Sequence, residues 1–110
     1  MNAAGLVDDA RYARALAETL RRRGTSRRAM RAKLRQKDLP AALVDEVLEA
    51  EEGEASEVKA AWRYAERRRL GPFRRSDRAE RRKRDLAAMG RAGFSYGVAR
   101  DVVDGERVDP

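Results

Sequence analysis

The sequence has no cysteine and no histidine. The first absence excludes disulfides, thiol nucleophiles and thiolate metal sites. The second removes the usual general base and the commonest metal ligand. Isoleucine is missing as well, aromatic residues make up 5% of the chain, and no apolar run approaches the about 18 residues of a membrane helix. The N-terminus lacks the apolar segment of a secretory signal. A soluble, cytoplasmic protein is expected. Paired carboxylates, Ser/Lys dyads, phosphate loops and metal clusters are not evident: Asp8–Asp9 and Glu51–Glu52 read as helix-end residues, and Gly90 and Gly93 lie near a helix end. No cofactor, metal or catalytic residue is implied, and an enzyme is not expected.

What is present is alanine and arginine. Of the 46 apolar residues in this 110-residue chain, 20 are alanine, and Leu, Val, Met, Phe and Trp together supply 23. Such a composition makes thin helix–helix seams rather than a thick core, and small cores are marginal. Lys plus Arg number 26 against 19 Asp plus Glu, a net charge of +7, and 22 of the 26 are arginine. Arginine's planar fork suits a polyanionic partner. A GC-rich genome writing arginine at ordinary surface positions would give the same bias.

Helix-period patterns fill most of the length and nothing alternates as a strand would, so an all-α fold with six helices is expected. The first starts near Asp8 or Asp9, places Ala10, Ala13, Leu16, Ala17 and Leu20 on one face, and ends at Gly24. Ser26 caps the second, with Met30 and Leu34 inward. The third follows Asp38–Leu39–Pro40 and carries Leu43, Val44, Val47 and Leu48. A glutamate-rich stretch leads into the fourth, striped by Val58, Ala61, Trp62 and Ala65 and stopped by Gly71–Pro72. Asp77 with Glu80 reads as a capping box opening the fifth, which holds Leu86 and Met89. Ser95 caps the sixth, with Val98, Val102 and Val103 inward, and Gly105–Pro110 reads as a frayed tail.

The chain repeats itself. Moving residues 34–48 forward by 55 places Leu34 on Met89, Leu39 on Phe94, Leu43 on Val98, Val47 on Val102 and Leu48 on Val103. The first helix of each half does not align. Two tandem three-helix units follow, at 8–53 and 54–105, with residues 1–7 a linker and 106–110 a disordered tail.

Charge is segregated along these units. Arg21 to Lys37 holds nine basic residues and no acid; Asp38 to Val58 holds eight acids and no base; Arg63 to Arg84 holds eleven bases against three acids. A solvated helix face would normally intersperse glutamate at i, i+4, which the first block does not do. The binding candidates are Arg21, Arg22, Arg23, Arg27, Arg28, Arg31, Lys33 and Arg35, then Arg67, Arg68, Arg74, Arg75, Arg78, Arg81 and Arg82. Arg81 to Arg84 are consecutive and point all ways around a helix, so some of them face only solvent. The acidic block either shields the basic ones within the protein or faces a basic partner. Trp62 reads as core, Tyr12 and Tyr64 as rim, and Phe73 as either a stacking platform or a residue tucked onto the core.

Several stretches resemble the RecX family. Gly5-Leu6-Val7-Asp8-Asp9-Ala10-Arg11-Tyr12-Ala13 is similar to the opening of that family's second repeat, and Ser26 to Lys37 to its Arg-rich helix. Leu86–Val103, centred on Arg91-Ala92-Gly93-Phe94-Ser95-Tyr96, is similar to the end of the third. The resemblance implies tandem three-helix repeats in a monomer that binds the RecA filament on single-stranded DNA. It implies restraint of RecA's recombinase, ATPase and coprotease activities in DNA repair, recombination and the SOS response, without catalysis. DNA would be met electrostatically through its backbone, and no membrane is involved. RecX proteins usually carry three repeats, and Met1 to Gly5 resembles the junction after the first; either the start is placed too late or this is a shortened form.

Two alternatives remain at this level. A stand-alone basic helical DNA-binding protein would bind duplex with a sequence preference and without RecA. A structural adaptor would depend on Glu51, Glu52 and Glu54 rather than on Arg27, Arg28 and Arg31.

Overall fold

The computed structural model describes residues 3–51 and 54–107. Among them are six α-helices, one 3₁₀ turn and no strand. The helices are α1 (Ala3–Arg22), α2 (Arg27–Gln36), α3 (Ala41–Ala50), α4 (Glu54–Arg68), α5 (Arg82–Arg91) and α6 (Tyr96–Val103). Helix α1 begins five residues before the expected Asp8, continuing through alanine, the best helix former. The molecule measures 55 × 28 × 19 Å.

Two separate cores fall on the two triplets. Ala13, Ala17, Leu20, Met30, Leu34, Val44, Val47 and Leu48 close the first. Ala60, Ala61, Ala65, Leu70, Met89, Phe94, Ala99, Val102 and Val103 close the second. Small alanines let the helices approach, so thin side chains still fill the seams. Trp62 packs at the edge of the second core and meets Phe73 edge-to-face at 5.9 Å, so Phe73 is tucked in rather than offered for stacking.

The 55-residue offset holds in three dimensions. Helix α5 starts and ends 55 residues after α2, and α6 starts 55 after α3. Buried Leu34, Val44, Val47 and Leu48 correspond to buried Met89, Ala99, Val102 and Val103. The first helices do not share the offset because the connectors differ in length. Residues 23–26 link α1 to α2, whereas residues 69–81 link α4 to α5.

Helix ends explain the breaks. Gly24 (φ +85°) closes α1 in a Schellman motif, with Thr25 N–H donating to Leu20 O at 2.9 Å and Gly24 N–H to Arg21 O at 3.0 Å. Gly93 (φ +101°) closes α5 in the same way, through Phe94 N–H to Met89 O at 3.1 Å. Helix α4 stops earlier than Gly71: Arg69 takes the left-handed conformation (φ 56°) and Leu70 N–H donates to Ala65 O at 2.8 Å. Gly71–Phe73 is then a 3₁₀ turn.

The expected capping box at Asp77 and Glu80 is not formed. Asp77 has φ 61°, which is outside the extended region an N-cap needs, and α5 opens at Arg82 after an Arg81 cap with no side-chain bond. The tail is partly tied down. Gly105 lies against Trp62, where an added Cβ would sit 2.9 Å from the ring, and the Arg107 guanidinium lies 5.4 Å from the Phe73 centroid. Residues 108–110, with Met1, Asn2, Glu52 and Gly53, lie outside the described residues.

Candidate nucleic-acid interface

The triplets meet along α4. The backbone of Gly24 approaches that helix so closely that a Cβ there would lie 2.5 Å from Tyr64 N and 2.8 Å from Ala60 O. Glu57 accepts from Arg21 Nη1 at 2.7 Å and from the Arg27 backbone N–H at 3.0 Å, which caps the start of α2 from outside. Arg63 and Arg67 donate to Arg21 O and Arg23 O, both at 3.3 Å, at the C-terminal end of α1. Ser26 accepts from Ala29 N–H at 3.1 Å as N-cap of α2. Its hydroxyl also donates to Ala92 O at 2.6 Å, 66 residues along the chain.

Five of the candidates, Arg21, Arg31, Arg74, Arg78 and Arg82, are engaged by partners within the protein. Arg21 is 6% exposed and held by Glu57 and by Thr25 O at 2.9 Å; its Nε has no partner. Arg31 pairs with Asp45 at 2.7 Å on the surface. The acidic segment therefore supplies partners to the first basic block through Asp45 and Glu57.

In the second triplet, Arg74 forks onto Asp85, with Nε to Oδ2 at 2.8 Å and Nη2 to Oδ1 at 2.7 Å. Gly71 N–H adds a third bond to Oδ2 at 2.8 Å. Burial pushes the Asp85 carboxyl upward, but these hydrogen bonds and the charges of Arg74 and Arg81 hold it below the usual carboxylate range. The same bond raises Arg74 further above its ordinary value. Arg78 donates to Val103 O at 2.9 Å and also to Gly105 O, completing the end of α6. Arg82 forks onto Asp104 at 2.6 and 2.8 Å. That pairing, with a further bond to Tyr96, raises Arg82, and Arg82 in turn lowers Asp104.

The remaining candidates face outward. Arg22, Arg23, Arg28, Lys33, Arg35, Arg67, Arg68 and Arg75 are exposed, and Arg27 and Arg81 are half-buried. Arg22 reaches Thr19 Oγ1 at 3.3 Å, and Arg68 lies 5.7 Å from the Tyr64 ring centroid. Arg23, Lys33 and Arg67 are drawn together from both triplets at one cleft beside the Gly24 turn. Arg22, Arg28, Arg35 and Arg75 do not line it. Sequence reasoning passed over Glu57, Ser26's second bond, Arg63 and Asp85. Glu57 and Arg63 stand in the acidic and basic blocks without being singled out, and Asp85 is visible as an acid among Arg81–Arg84 and Leu86. Among the described residues no group of acids is arranged to hold a metal ion, and no helix is long and apolar enough to cross a membrane.

Comparison with known proteins agrees with this architecture. The profile of the family "RecX, second three-helix domain" matches residues 8–48. The regulatory protein RecX of Myxococcus xanthus is 47% identical over 102 residues, covering 91% of this chain and 54% of that protein. The regulatory protein RecX of Streptomyces coelicolor is 36% identical over 100 residues, covering 90% and 52%. That of Agrobacterium fabrum is 31% identical over 98 residues, covering 88% and 51%. The chain spans about half the length of the curated relatives it matches. No solved structure matches it significantly. Six helices in two triplets, the matched second domain and these identities together make the chain a member of the RecX family.

Proposed function

We propose that this chain is a non-catalytic regulator that binds the RecA filament on single-stranded DNA and restrains RecA's recombinase and ATPase activities. The observation that carries this reading is the identity of 47% over 102 residues to a protein named regulatory protein RecX. The surface supports it: Arg22, Arg23, Arg28, Lys33, Arg35 and Arg75 are exposed, with no acid paired to them among the described residues. A nucleoprotein filament offers phosphates to such a surface, and arginine is suited to meet them. The protein acts as a monomer in the cytoplasm, in DNA repair and the SOS response. RecA ATPase and strand exchange on single-stranded DNA, measured with added protein, test the reading. Slowing at a few-fold molar excess over RecA is expected; unchanged rates would count against it.

A further inference from the structure

We infer that the cleft where the two triplets meet is a phosphate site that takes the phosphodiester of a single nucleic-acid strand. The cleft has a volume of about 220 Å³. Three cations line it from three places in the chain: Arg23 just past α1, Lys33 on α2 and Arg67 on α4. No carboxylate lines it, and among the described residues no acid pairs with any of the three. Like charges gathered in one concavity repel, and an anion placed between them reverses the sign of that term. The two arginines offer planar forks and the lysine a point charge, the usual combination around phosphate oxygens.

The walls favour the same ligand. Ser26 and Ala29, from the start of α2, line the cleft with small side chains, the amides there being held by Ser26 and Glu57. Tyr64 forms another wall, its ring steadied by Phe94 at 5.7 Å and by the Arg68 guanidinium at 5.7 Å. A fixed ring beside three cations suits a strand whose unpaired base or sugar packs on it while its phosphate is held. Arg23 and Lys33 belong to the first triplet and Arg67 to the second, so a bound phosphate ties the two together. This inference rests on the reading that the protein meets single-stranded DNA, but its binding measurement needs no RecA, which enters only to tell the two readings apart.

The test is fluorescence anisotropy of a labelled oligothymidine titrated with the full chain at two salt concentrations. Lys33→Gln/Arg67→Gln is compared with Lys83→Gln/Arg84→Gln, which removes the same charge from an exposed stretch of α5 away from the cleft. The cleft pair is expected to weaken binding about ten-fold or more and to lower the salt slope by about 1.4, the value for two lost single-strand contacts. The control pair should lose less than about three-fold. Arg67→Gln also removes a bond to Arg23 O, so Lys33→Gln alone is measured as well and should still exceed the control.

Equal weakening by both pairs overturns the inference, as does a parent chain that binds inorganic phosphate but no oligothymidine. If the cleft pair keeps its oligothymidine affinity and loses its effect on RecA ATPase, the cleft serves an acidic protein surface; the inference then fails and the proposed function stands. If the cleft pair weakens oligothymidine binding while the parent leaves RecA unaffected, the site stands and the proposed function fails.

Discussion

Asp85 occupies in the second triplet the position that Met30 holds in the first. Each is the fourth residue of its helix, α5 or α2, and each is fully buried. A charge stands where its counterpart is a thioether. The longer connector supplies what that charge requires, Arg74 and the Gly71 amide.

Breaking this pair from one side is predicted to be costly. Arg74→Ala leaves a buried carboxylate without its counter-ion, and the expected loss is about 3 kcal/mol, within the range for uncompensated buried charges. The double substitution Asp85→Met/Arg74→Leu imitates the first triplet. It is expected to lose less than Arg74→Ala does, the remaining cost being the unpaired Gly71 amide at about 1–3 kcal/mol. Urea denaturation of the three proteins gives the order directly.

The same pair sets an acid limit. Folding holds the Asp85 carboxyl below its unfolded value, so the unfolded chain binds more protons and stability rises with pH in that range. The contribution is fully present above about pH 4, the ordinary aspartate value, and disappears as pH falls through the lowered folded value. Unfolding free energies measured from pH 6 to pH 2 should therefore fall more steeply for the parent than for Asp85→Asn.

Gly24 and Gly90 should respond to alanine in opposite directions. Gly24 has φ +85° and a Cβ there would meet the α4 backbone, which cannot move aside cheaply. Gly24→Ala is expected to cost about 2 kcal/mol or more through strain and overpacking. Gly90 lies inside α5 with nothing within 4 Å of the added carbon. Gly90→Ala should raise stability by roughly 0.5–1 kcal/mol. Thermal unfolding monitored by circular dichroism separates the two.

Ser26 and Ser95 are both N-caps, yet their removal should not cost the same. Ser95→Ala loses one capping bond, about 1 kcal/mol, whereas Ser26→Ala also leaves Ala92 O without its donor. An additional loss of about 1 kcal/mol or more is expected for Ser26→Ala, read from denaturant midpoints.

Periodicity made most of the fold legible. Leu34, Val47, Met89 and Val102 could be placed because one inward face per helix is a local property of spacing, and Gly24 and Gly93 because a left-handed closing residue favours glycine. The start of α5 was misread because Asp77 and Glu80 have the right spacing but Asp77 adopts the wrong backbone conformation. The candidate site was harder still. Whether an arginine faces water or a partner within the protein depends on groups dozens of residues away, as for Arg21 with Glu57 or Arg78 with Val103 O. Net charge counts both kinds alike.

The bonds along α4 cross the boundary between the two triplets. A duplication can copy three helices and their spacing. Here, though, the first three do not close their own hydrogen bonds: Glu57 completes the start of α2, and Arg63 and Arg67 complete the end of α1. Cutting the chain between α3 and α4 would leave those groups to water and strand the Arg21 guanidinium without its acid. The repeat in the sequence is thus narrower than the network of bonds, because each first-triplet helix end next to α4 is completed by its neighbour.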